Sequence, residues 1–192
     1  PQDLVDELNN YIDEVIAKEE KSKNLNHGKY LAADVTQELL LESEFIKKVG
    51  WLDFLAQGTV AWIKEVTNQN ITKFNVNGSW VVRQFQNEFN PTHWHTGHIS
   101  GAGFLKVPKN LGNFTQNEEK KEKTYVGGHL NLLHGSKMFL SESLLSIKPK
   151  VGDFYFFPNY VMHSVYPFAD TDEERRSVSF NANLDQDIVG IA

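Results

Sequence analysis

The feature that most limits how this chain can fold is a change of hydrophobic period near residue 70. Before it, apolar residues recur at helical spacing. Leu4, Val5, Leu8, Tyr11, Ile12, Val15 and Ile16 fall on one face of a helix over residues 3–18, with Asp3 as its N-cap. Residues 19–33, "EEKSKNLNHGKYLAA", are polar and read as a connector. Residues 36–67 read as one long helix or two shorter ones, capped by Thr36 or Ser43, with Gly50 and Gly58 as breaks or close-packing points. After it the period is two. "SWVVRQFQNEF" (79–89) sets Trp80, Val82, Gln84 and Gln86 against Val81, Arg83, Phe85 and Asn87. Short strands are expected at 98–107, 127–135, 143–149, 152–158, 162–168 and 175–184, punctuated by Gly, Pro and Asn. The segment "NFTQNEEKKEKTYVGG" (113–128) reads as a charged loop. Helices followed by many short strands make an α+β chain, or helices laid on a β-sandwich. No internal repeat divides it. One domain over 1–192 is expected, with 1–70 helical and 71–192 the β core.

Composition excludes several function classes. The formal net charge is −6 and the pI about 5.6, with no basic run, so nucleic acid is not an expected partner. The chain has no cysteine, which removes disulfides, thiolate metal sites and a cysteine nucleophile. The acidic, amphipathic start "PQDLVDELNNYIDEV" lacks the apolar stretch of a secretory leader, and no run is long enough to span a membrane. A cytoplasmic setting is the expectation.

The chemistry concentrates in "NPTHWHTGHISG" (90–101), where three of the 7 histidines, His93, His95 and His98, lie within six positions. In an extended segment His93 and His95 share a face, and Trp94 is expected to point the other way, into the packing. Two imidazoles on one face suit Fe, Zn, Cu or Ni. His-x-His alone is a weak signal and needs a ligand from elsewhere in the chain. His129, His134 and His163 are candidates, while His27 reads as a surface residue of the connector. His98 has the opposite parity unless Thr96-Gly97 turns the chain.

The block "PKVGDFYFFPNYVMHSVYPFADTDEERRSVSFN" (149–181) narrows the choice. An apolar strand turns at Pro158-Asn159, and His163 starts the next strand. In "RRSVSFN", Arg175, Ser177, Ser179 and Asn181 share one face, and Arg176, Val178 and Phe180 the other. The polar face meets either solvent or a cavity. A buried Arg175 would need a planar acceptor such as a carboxylate. The alternative is a surface strand with an exposed arginine pair after the acidic loop.

Taken together, "NPTHWHTGHISGAGFLKVP", "PKVGDFYFFPNYVMHSVYPF" and "RRSVSFN" resemble the 2-oxoglutarate/Fe(II)-dependent oxygenase superfamily, in particular the oxygenases of bacteria and bacteriophages, cyanophages included. The resemblance covers the chain from about residue 79. It implies a double-stranded β-helix (jelly roll) with the N-terminal helices packed on it. It implies Fe(II) and 2-oxoglutarate as cofactors, with ascorbate as a stimulant. Carried over by position, His93, His95 and His163 are the metal ligands, and Arg175 with Ser177 binds the co-substrate's far carboxylate. His98 is left on the substrate side or as a structural residue, and His129 and His134 likewise. One departure stands out: the family pattern His-x-Asp/Glu is His-x-His here, so no ligand offsets the metal's charge. The implied activity hydroxylates an unknown substrate using O₂, with release of succinate and CO₂, in a bacterial or phage-infected cytoplasm. Two rivals remain at this point: a cupin-like three-His dioxygenase that does not use 2-oxoglutarate, and a non-enzymatic jelly-roll binding module.

Overall fold

The structure is a computed structural model and describes residues 1–112, 126–136, 138–140 and 142–185. The expected charged loop 113–128 falls almost wholly outside them. The N-terminal part holds α1 (Gln2–Ile16), α2 (Glu19–Leu25), a 3₁₀ turn (Gly28–Tyr30), β1 (Gln37–Leu40), α3 (Ser43–Lys48) and α4 (Trp51–Thr67). Among the described residues eight strands follow: β2 (Phe74–Gln84), β3 (Asn90–His93), β4 (Ile99–Lys106), β5 (Leu130–Leu133), β6 (Leu144–Ile147), β7 (Phe154–Pro158), β8 (Met162–Val165) and β9 (Arg175–Leu184). They form two antiparallel sheets, ordered β1-β2-β9-β4-β7 and β3-β8-β5-β6. No helix among the described residues is long and apolar enough to cross a membrane.

The alternation read from the sequence sets which way the larger sheet faces. Leu39, Val81 and Val178 lie side by side across β1, β2 and β9, and all are buried. They form one core with Leu8 and Ile12 of α1 and Leu55 of α4. The helices therefore cover this face. The apolar stripe of α1 could not remain in water, since burying a leucine or isoleucine is worth about 1.5–3 kcal/mol. The opposite face of the same strands carries Gln84, Arg175 and Ser177 and is left for a cavity.

Several sequence expectations are corrected. Asp3 does not cap α1; Pro1 holds the cap position, and Asp3 sits in the first turn, where its charge meets the positive end of the helix. The 19–33 connector contains α2 and the 3₁₀ turn. Residues 37–40 are a strand and not the start of a helix. A four-residue stretch is too short for its period to decide, and pairing with Trp80–Arg83 does. Thr36 caps nothing; its N–H and hydroxyl both donate to the Glu88 carboxylate, at 2.9 and 2.6 Å. Ser43 is the first residue of α3, behind Glu42 at the cap. Gly50 does break the helix, with φ at +78°. Gly58 is a close-packing point, because a Cβ there would lie 2.4 Å from the Phe156 ring. β2 begins at Phe74 and ends at Gln84, because Glu88 folds back and accepts the Phe85 N–H at 2.8 Å.

Both arginines of "RRSVSFN" are buried, so the exposed-pair alternative fails. Arg176 lies on the helix side. Its guanidinium donates to Glu174 at 2.9 Å, to Asp13 of α1 at 2.6 Å and to the Asn9 carbonyl at 3.2 Å. It ties α1 to β9. Removing one member of a buried charged network strands the rest, so Arg176→Ala should lower unfolding stability by about 3 kcal/mol. Urea denaturation measures this; a loss below about 0.5 kcal/mol, the range of ordinary surface substitutions, would mean the network does not hold the helix.

Candidate active site

The three histidines meet because of strand register. β3 and β8 run antiparallel with His93 directly opposite His163. His95 lies beyond the end of β3 but is held in line by the turn between β7 and β8. Its N–H donates to the Asn159 carbonyl at 3.0 Å, and the Asn159 side-chain amide donates to the His95 carbonyl at 3.0 Å. The ring centroids are 4.2 Å apart for His93–His163 and 4.9 Å for each of the other pairs. One ligand atom from each residue lies within 4.8 Å of the others, so the trio could hold a metal ion.

The ring nitrogens fit that use. His93 Nδ1 lies 2.7 Å from the Pro91 carbonyl and His163 Nδ1 lies 2.9 Å from the Val161 carbonyl. A carbonyl only accepts, so both Nδ1 atoms carry the proton and both Nε2 atoms present a lone pair. His95 Nε2 sits 3.1 Å from His163 Nε2, two nitrogens converging on one point. Burial holds all three imidazoles in their neutral form. It pushes His95 down to about 3, helped by the His163 and His93 rings, and His163 to about 4, helped by His93. His93 is lowered too, mainly by burial. Neutral imidazoles are what a metal needs.

Arg175 opens into the same cavity, of about 280 Å³, which His93, His95, His163 and Ser177 also line. Its side chain is fully buried, and burial pushes the guanidinium down to about 10, which leaves it protonated at neutral pH. Among the described residues no carboxylate meets it. Its Nε donates to the Gly128 carbonyl at 2.9 Å and its Nη1 to Gln84 Oε1 at 3.3 Å and Ser177 Oγ at 3.4 Å. The Phe104 ring packs against it at 5.2 Å. Among the described residues nothing accepts from Nη2. A buried cation held by neutral acceptors, with one edge free, is arranged to receive an anion.

The other histidines lie elsewhere. His98 is not among the residues that line the cavity; its Nδ1 accepts the Leu184 N–H at 2.9 Å, tying down the end of β9. His129 faces Ser146 at 3.2 Å, His134 is exposed, and His27 is half-buried. Trp94, expected in the packing, is 63 % exposed at the cavity mouth, just past the end of β3 at His93.

Sequence reasoning passed over Gln84 and Glu38. Gln84 had a signal, since it shares the parity of Trp80 and Val82, and the structure sets it opposite Arg175. Glu38 had none, lying in a stretch read as helix. It is 2 % exposed on the cavity wall, and burial alone raises its carboxyl to about 7. Above its ordinary value of 4.5 the unfolded chain has released this proton while the folded chain keeps it, so folding loses stability as pH rises through about 7. Glu38→Gln should therefore stabilise the protein by about 1–2 kcal/mol at about pH 8 and not at about pH 4. Denaturant midpoints at the two pH values check this; an equal shift at both would show that the ionised carboxylate is not the cause.

Residues 78–181 match the family described as "Putative 2OG-Fe(II) oxygenase". No curated protein sequence matches the chain. Solved structures do. A Pseudomonas putida prolyl-4-hydroxylase superposes with a TM-score of 0.59 at 17 % identity, over 94 % of this chain and 87 % of that one. A viral collagen prolyl hydroxylase from Paramecium Bursaria Chlorella virus-1, solved as a 2OG complex, gives 0.51 at 16 % identity, over 83 % and 85 %. A Phytophthora capsici prolyl 4-hydroxylase gives 0.52 at 13 %, over 95 % and 55 %. At such identities the likeness is one of fold.

Proposed function

The chain belongs to the family of 2OG-Fe(II) oxygenases, and from that premise we propose that it holds Fe(II) on His93, His95 and His163, binds 2-oxoglutarate through Arg175 and Ser177, and hydroxylates a substrate C–H bond. The two facing sheets are read as a double-stranded β-helix forming one domain with the helices of residues 1–70. Fe(II) and 2-oxoglutarate are the cofactor pair of the family; with O₂ they supply oxidative decarboxylation to succinate and CO₂, coupled to hydroxylation.

The observation that carries this reading is Arg175. A cupin-like three-His dioxygenase has no use for a buried cation with a free edge, and a mere binding module has none for three converging, neutral imidazoles. The chain's own residues have separable tasks. The Pro91 and Val161 carbonyls fix the ring tautomers of His93 and His163. Gln84 and the Gly128 carbonyl aim the guanidinium, and Ser177 adds a hydroxyl beside it. His95 in place of a carboxylate leaves the site more positive, which favours a doubly anionic co-substrate.

In air, the protein with Fe(II) should slowly convert 2-oxoglutarate to succinate without any added substrate. Omitting either Fe(II) or O₂ should stop it. Oxygen uptake with a thiol or diketone, and none with 2-oxoglutarate, would transfer the assignment to the cupin-like reading.

A further inference from the structure

Among the described residues two polar atoms on the cavity wall have no partner. Glu38 Oε2 and Asn90 Oδ1 are both buried, and neither meets a donor. Among the described residues the rest of the Glu38 side chain forms no hydrogen bond or ion pair either, although the residue is 2 % exposed. Leaving a buried carboxyl unmatched is costly, and buried charges are otherwise paired.

Register shows why Glu38 has not paired with the cation nearby. Glu38 lies opposite Val82 on β2, and Val82 lies opposite Ser177 on β9. All three face the cavity. Val82 thus stands between the carboxyl and the Arg175–Ser177 pair, and Arg175 forms no ion pair with Glu38. The cavity carries an acidic and a basic group kept apart by an apolar side chain. Two aromatic side chains flank its mouth: Tyr30 of the 3₁₀ turn, 66 % exposed, and Trp94, 63 % exposed. Such rings favour a cation over an anion.

We propose that Glu38, with Asn90, forms a substrate subsite for a cationic N–H donor, so that the primary substrate carries an amine or guanidinium group. This rests on the oxygenase reading, in which Arg175 is reserved for the co-substrate. The two ends of the cavity then divide the ligands by charge. The anionic co-substrate goes to Arg175, and the cationic substrate passes the aromatic mouth to Glu38. A bare proline ring, which has no N–H when in a peptide chain, would leave Glu38 unmatched.

The test uses the full chain, anaerobic, with Fe(II) and saturating 2-oxoglutarate, above neutral pH. Trp80 and Trp94 line the cavity, so tryptophan fluorescence reports on its contents. The probes are n-butylammonium and n-butylguanidinium, against 1-butanol and pentanoate. One of the cations should bind about ten-fold or more tightly than both the alcohol and the anion. Glu38→Gln should erase that preference, and Glu38→Asp should keep part of it. Equal binding of cation and alcohol by the unaltered protein, or no saturation by either cation, would overturn the proposal, as would a preference that survives in Glu38→Gln. Should Glu38→Gln fail to fold, the four probes on the unaltered protein still decide. The oxygenase reading is judged separately: a cation preference in a protein that never binds 2-oxoglutarate would sink that reading and not the acidic subsite.

Discussion

His93→Ala and His163→Ala should each abolish retention of Fe(II). These two rings face each other across the β3–β8 register with centroids 4.2 Å apart, and each has its Nδ1 proton fixed by a backbone carbonyl. Neither loss can be made good by a neighbour, because among the described residues no other His, Asp or Glu joins the cluster. Altering a group that merely supports a ligand already lowers metal affinity by about 10–100-fold, so losing a ligand should exceed that. His95→Ala should weaken binding strongly but less completely, since His95 lies past the end of its strand and a small exogenous ligand can take its place. His98→Ala should keep the metal, because its ring is engaged with the Leu184 N–H. Metal content after anaerobic gel filtration distinguishes the four. Iron retained by His163→Ala and lost by His98→Ala would overturn the ligand set.

Arg175→Ala should cost 2-oxoglutarate about 2 kcal/mol or more of binding free energy, roughly a thirty-fold weaker Kd. Among the described residues the guanidinium is the cavity's cation without an ion pair, and its removal leaves Gln84 Oε1 and the Gly128 carbonyl without their donor. Arg176→Ala should leave the affinity of the folded fraction nearly unchanged, since Arg176 faces α1. The weak visible absorption of the Fe(II)–2-oxoglutarate chelate, titrated anaerobically, measures both. Reversed effects would place the wrong arginine in the cavity.

What could be read before folding depended on whether the signal was local. α1 was legible because its apolar stripe runs for four turns, long enough for the 3.6 period to dominate. β9 was legible to the residue, and its alternation separated Arg175 from Arg176, because a strand's two faces are fixed by parity alone. β1 was missed because four residues carry no decisive period, and its state depends on the partner strand beside it. With β1 went Glu38, whose place on the cavity wall is a consequence of pairing with Val82.

By itself the sequence determined the helical and β halves of the chain, the shared face of His93 and His95, and the split of the two arginines. These follow from spacing along one segment, which backbone geometry turns into direction. Tertiary structure alone brought the His163 ring, named beforehand only by resemblance, against the pair, turned Trp94 outward, engaged His98 with backbone, and buried Glu38 with its Oε2 unpartnered among the described residues. Each of these depends on strand order and register, and so on contacts between segments far apart in the chain. No periodicity within one segment records those.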